Sequence, residues 1–96
     1  MNDLWLRVCA YFQVDPATVR MPRIFVTSPD MIYVFSGDRN SYGPALYYSQ
    51  TNTVLAVPSY DRGHIIHEFA EAVVYQSKKF DFKDTEDFAK WAEQNV

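Results

Sequence analysis

The chain has 96 residues, enough for a single domain spanning 1–96, and a chain this short buries only about two-thirds of the surface its unfolded form exposes. The core is therefore small, and seven Phe, seven Tyr and two Trp compensate because each buried ring removes a large area from water. A net charge of −3, with no basic run beyond Lys78-Lys79, argues against a nucleic-acid partner, and the lone Cys9 excludes an internal disulfide or a multi-cysteine zinc site. With no basic leader ahead of a long apolar run and no stretch able to span a bilayer, the expectation is a cytoplasmic protein without a membrane partner.

Asn2 or Asp3 caps a first helix that reaches Gln13, with Leu4, Trp5, Val8, Tyr11 and Phe12 at helical spacing and Cys9 as a small core residue. Asp15-Pro16-Ala17-Thr18 predicts a single capped turn before Pro22, and Arg23 to Thr27 has the β-branched and aromatic content of a strand. Met31 to Phe35 has the composition of a strand but follows Ser28-Pro29-Asp30, a helix-start signature that tips it to a short helix. Gly37 to Gly43 is polar and predicts a loop over a cleft. Ala45 to Ser49 and Thr53 to Val57 form a hairpin closed by Gln50-Thr51-Asn52.

Pro58-Ser59-Tyr60-Asp61 stops the hairpin and offers Ser59 or Asp61 as the cap of a helix running to about Ser77. Asp81 to Asp84 is a link, after which Thr85-Glu86-Asp87 opens a last helix with Phe88, Trp91 and Ala92 facing inward. The sum is an α+β domain: a small, mostly antiparallel sheet with helices packed on one side.

Within the 61–77 helix, His64, His67, Glu68 and Glu71 share an arc of roughly 100°, extended by Tyr75, while Ile65, Ile66, Phe69, Ala70, Ala72, Val73 and Val74 cover the remainder. So wide an apolar arc predicts burial on most sides, leaving a strip that needs either solvent or a cation. In His67-Glu68-x-x-Glu71 the residues at i and i+4 lie one turn apart, so an imidazole and a carboxylate can meet one ion. The plain alternative is a solvated i,i+4 pair, but an ordinary solvated strip mixes in Lys, Arg or Gln, and up to Glu71 this one holds only His and Glu. His64 lies too far along the axis to share an ion with Glu71; it either pairs with Glu68 or serves as a ligand in a shifted site.

Together with the Gly43 to Pro58 segment, this stretch resembles the hairpin and active-site helix of small zincin-like metallopeptidase domains, over residues 43–76 and with Glu71 where that family has a second His. The resemblance implies a zincin-like fold with the motif on a central helix, His67 and Glu71 as ligands of zinc or another divalent metal, and Glu68 as general base. A third ligand is expected downstream, with Asp81, Asp84 and Asp87 as candidates. Tyr42, Tyr48, Tyr75, Arg39 and Arg62 are candidate oxyanion donors, each as readily a rim or core residue. By the same resemblance the hairpin edge binds an extended peptide or protein segment.

Two functions follow: a degenerate zincin-like domain of weak or no catalytic activity that binds peptide or regulates a partner, or a minimal metal-dependent hydrolase using Glu68. Carboxylate in place of the second His and the lack of an evident third ligand favour the first.

Overall fold

The computed structural model describes residues 2–36, 44–80 and 85–96, with the side chains of Phe35 and Ser36 outside that description. The chain forms α1 (Asn2–Tyr11), a 3-10 turn (Pro16–Thr18), β1 (Arg23–Val26), α2 (Pro29–Ser36), β2 (Ala45–Tyr48), β3 (Thr53–Ala56), α3 (Arg62–Ser77) and α4 (Thr85–Asn95). The class is α+β, as composition and periodicity predict. None of the described helices is long and apolar enough to cross a membrane.

The sheet is mixed rather than mostly antiparallel. Its order is β1-β3-β2, with β2 antiparallel to β3 and β1 parallel to β3. A parallel pair needs a crossover of a dozen or more residues, and the segment carrying α2 and β2 supplies it. β3 is the central strand and is buried on both faces: Val54 joins the main core, while Leu55 and Val57 join a second cluster with Ile32 of α2 and Leu46. Helices therefore do not lie on one side only. α1, α3 and α4 build the main core against one face, and α2 covers the other.

α1 ends where Gln13 turns left-handed (φ 56°), with Val14 N donating to Cys9 O and Gln13 N to Ala10 O, the paired bonds that close a helix C-terminus. This turn buries Val14 beside Cys9, whose thiol is pushed up to about 11 by burial and is a core group, not a nucleophile. Asp15 caps the 3-10 turn by accepting from Ala17 N.

α3 is the axis of the main core. Ile65, Ile66, Phe69, Ala70, Ala72, Val73 and Val74 are buried along it, and Trp5 of α1 meets Phe69 edge-to-face at 5.3 Å between ring centres. Its far end is tied down by Gln76, which accepts from Arg20 N and donates to Arg20 O and Asn52 Oδ1, joining the helix to the chain ahead of β1 and to the hairpin turn. α4 packs on α3 through the fully buried Ala89 and Ala92. Trp91, predicted to face the core, is 51 % exposed and rests against Phe88. Two alanines allow closer approach of the helices than a large ring would, and that close contact fixes the rotation of α4.

Candidate metal centre

Asp61 caps α3 with extended backbone (φ −121°, ψ −179°), and its Oδ1 accepts from His64 N at 3.0 Å while Asp61 N donates to His64 Nδ1 at 3.1 Å. This is a reciprocal capping box with His in the place usually taken by Glu or Gln. His64 therefore holds the start of the helix and bonds to Asp61, not to Glu68. The first turn delivers His67, Glu68 and Glu71 to the side of α3 that faces α4 and the hairpin. A cavity of about 190 Å³ opens there, lined by Pro44, Ala45, His64, His67, Glu68 and Glu93.

His67 is the centre of the cluster. Its Nε2 lies 3.0 Å from Glu86 Oε1 and 3.9 Å from Glu71 Oε1, and its Nδ1 lies 3.1 Å from Glu93 Oε2. Donor atoms of His67, Glu71 and Glu86 fall within 4.8 Å of one another. A tetrahedral ion bonded at 2.0–2.2 Å separates its donors by roughly 3.4 Å, so side-chain torsions of about an ångström bring all three onto one ion. One imidazole with two carboxylates suits zinc, manganese or ferrous iron, and the two negative charges balance a divalent cation.

Glu68 is the buried member, 6 % exposed, and its Oε2 has no hydrogen-bond partner. Burial is the main cause that raises its pKa well above the ordinary value; the Glu71 charge, the hydrogen bond to Glu71 and the Glu86 charge add to it, and a bond from the Tyr47 main-chain N–H opposes. Glu71 is raised too, chiefly by burial, with the hydrogen bond from Glu68 and the nearby His67 pulling the other way. Three carboxyls, those of Glu71, Glu86 and Glu93, thus meet one imidazole, with Glu68 hydrogen-bonded to Glu71 beside them, and among the described residues no Lys or Arg side chain forms an ion pair with any of the four. Such a set is unstable by itself at neutral pH unless protons or a cation neutralise it.

The hairpin reaches the site through β2. Val57 N donates to Pro44 O, so by the alternation of an antiparallel ladder Leu46 and Tyr48 turn their main-chain groups to β3, while Ala45 and Tyr47 turn theirs outward. The bond from Tyr47 N–H to Glu68 fits that register, and the outer edge of β2 runs past the cavity at Ala45.

Of the residues expected at the site, the structure brings together His67, Glu68 and Glu71, and it gives His64 a capping role at the rim. Asp81, Asp84, Arg39 and Tyr42 lie outside the described residues, as does the expected loop over the cleft. Asp87 is exposed on α4; Arg62 donates to Val96 O, and Tyr75 is exposed with its ring 6.3 Å from that of Tyr47. Glu86 escaped sequence reasoning because an acid in the first turn of a helix reads as a dipole or capping residue, and Glu93 because an acid near the end of a polar helix reads as a solvated surface group. The available signal was their spacing: seven residues apart, with Ala89 between them on the same face.

No family model matches the chain, and neither a curated protein nor a solved structure is significantly similar to it.

Proposed function

We propose that the domain is a minimal zincin-like hydrolase that holds a divalent metal ion through His67, Glu71 and Glu86, takes an extended peptide along the outer edge of β2, and uses Glu68 as its general base. Glu86 carries this reading: it offers, from α4, the third donor whose apparent lack in the sequence favoured a non-catalytic domain. Glu68 supports it as well. A structural residue at so buried a position would be apolar or an amide, whereas this residue is a carboxyl that lines the cavity and keeps one oxygen without a partner.

Bound metal would supply a Lewis acid that polarises the scissile carbonyl. Neutralising the strip eases ionisation of Glu68, which then takes a proton from a cavity water as that water's oxygen bonds to the scissile carbonyl carbon, and gives it to the amine nitrogen as the C–N bond breaks. Ala45 N–H and C=O, with Tyr47 C=O, align an extended substrate by strand pairing. The bond between Tyr47 N–H and Glu68 ties the base to the same strand, and that observation favours a second reading in which the domain binds peptide without cutting it.

Calorimetric titration of Zn²⁺ and Mn²⁺ into metal-stripped protein is the test. One ion per chain, lost in Glu86→Gln and in His67→Ala, is expected; absence of uptake by the parent would remove the metal centre. Cleavage of unstructured peptides that vanishes in Glu68→Gln while metal uptake persists separates the hydrolase from the binding module.

A further inference from the structure

The two nitrogens of His67 are committed to different partners, and a carboxylate that no motif contains sets that division. We propose that Glu93 is the positioning residue of the centre: by accepting a hydrogen bond from Nδ1–H of His67 it fixes the ring so that Nε2 presents its lone pair to the ion, and Gly63 is the residue that leaves room for it. The inference rests on the metal-binding reading above and names which nitrogen binds and what holds it.

An imidazole can bind a metal only through an unprotonated nitrogen, and its other nitrogen then carries the hydrogen. Glu93 Oε2 is 3.1 Å from Nδ1, and an ionised carboxylate there can only accept, so the hydrogen belongs on Nδ1. Nε2 is turned the other way, toward Glu86 and Glu71, the two remaining donors of the centre. Nε2 and the Glu86 oxygen, 3.0 Å apart, are both acceptors when the ring carries its hydrogen on Nδ1, and two lone pairs facing each other at that distance make a place for a cation between them. Glu93 lies outside that trio and does not compete for the ion; its carboxylate makes the ring a better donor.

Gly63 supplies the independent observation. A Cβ at this position in the first turn of α3 would sit 3.3 Å from Glu93 Oε1, 3.5 Å from Glu93 Cγ and 3.3 Å from Asp61 Oδ1. The two 3.3 Å contacts are tighter than ordinary ones, so the Glu93 and Asp61 carboxylates would each have to give by a few tenths of an ångström, which for Glu93 is a displacement relative to His67. Elsewhere in a helix a glycine is a liability relative to alanine. Here its lack of a side chain keeps the second carboxylate against the ring.

Two measurements on the full chain decide the matter. Zinc affinity by calorimetry should fall about 10- to 100-fold in Glu93→Ala and less in Glu93→Gln, whose amide oxygen can still accept from Nδ1–H. Gly63→Ala should lie between the parent and Glu93→Ala in zinc affinity, and its thermal midpoint without metal, which also reads the pressure on the Asp61 cap, separates that effect from the one on Glu93. Nitrogen-15 spectra of the zinc-loaded parent should show His67 coordinated through Nε2 and protonated at Nδ1. If the parent takes up no zinc, the metal-binding reading fails and this inference with it. A parent that binds while Glu93→Ala binds equally well overturns the inference alone, as do spectra showing coordination through Nδ1. A Glu93→Ala variant that loses thermal stability but keeps its affinity would reduce Glu93 to a clip between α4 and α3, and would also overturn it.

Discussion

Along one side of α3, Ile65, Phe69 and Val73 are wholly buried among Trp5, Val8 and the β3 residue Val54; along the other, His67, Glu68 and Glu71 are drawn out of water beside two further carboxylates. The first side satisfies every requirement of a stable core: apolar surface removed from solvent and rings meeting edge to face. The second violates several, with an unpartnered buried oxygen, like charges in contact and a glycine in the first helical turn. One helix therefore carries both the residues that hold the domain together and a cluster that costs it stability. The largest effect that can probe this contrast is Phe69→Ala, which should cost about 3–5 kcal/mol, much of the stability of a domain of this size. Thermal unfolding measures it. A loss below about 1 kcal/mol would mean that α3 is not the axis of the core.

Glu68→Gln should act in the opposite direction. The amide keeps the shape and can still accept from Tyr47 N–H, but it removes the cost of confining an ionisable group beside Glu71 and Glu86. Metal-free protein at pH 8 should gain about 1–3 kcal/mol. Equal or lower stability of the variant would show that the carboxyl is a structural group, and the two sides of α3 would no longer differ in kind.

The same carboxyls give the contrast a pH dependence. Glu68 and Glu71 have folded-state values above the ordinary 4.5, so the folded protein binds more protons than the unfolded one between those limits. Their contribution is complete below the unfolded value of 4.5 and is lost as pH rises through the folded values. The thermal midpoint of metal-free parent should therefore fall on going from mildly acidic to alkaline solution more steeply than that of Glu68→Gln. Saturating zinc should flatten the parent's curve, because an ion replaces protons as the neutralising charge. Identical slopes for the two proteins would place the Glu68 carboxyl at its ordinary value.

How much of this was legible in the sequence depended on how local each feature is. The α3 cap, which the sequence narrows to Ser59 or Asp61, its end near Ser77, the hairpin and the shared face of His67, Glu68 and Glu71 follow from chain chemistry over a few residues. The pairing of β1 with β3 and the place of α2 on the opposite face require knowing what a long crossover does, which no local pattern contains. Trp91 and Glu86 show the same limit from two sides. Trp91 is expected inside and Glu86 only at the helix start, yet close packing at Ala89 and Ala92 turns α4 so that Trp91 meets solvent and Glu86 meets His67. The place of Glu86 beside His67 and Glu71 is a product of helix rotation, which periodicity leaves open when both faces contain candidates.

The smallest expected change in fold stability, and the sharpest test of the ionisable side, is Glu71→His. The side chain of Glu71 is 23 % exposed and occupies the edge of the cluster, so an imidazole of similar reach fits there; removing one negative charge from the set offsets the altered packing, and the metal-free thermal midpoint should move by less than the equivalent of about 1 kcal/mol. The effect on metal binding is different in kind. His67 and the new imidazole, one turn apart on α3, with Glu86 from α4, make two neutral nitrogen donors and one carboxylate, a set that suits zinc and leaves more positive charge on it to acidify water. Zinc should bind more tightly than in the parent, and peptide hydrolysis should rise or first become measurable, with Glu68→Gln in the same chain abolishing it. Calorimetry and a peptide-cleavage assay read the two arms. Equal, negligible uptake by parent and variant would mean that Glu86 does not converge with His67 on an ion, and the carboxylates along α3 would then be held by protons alone.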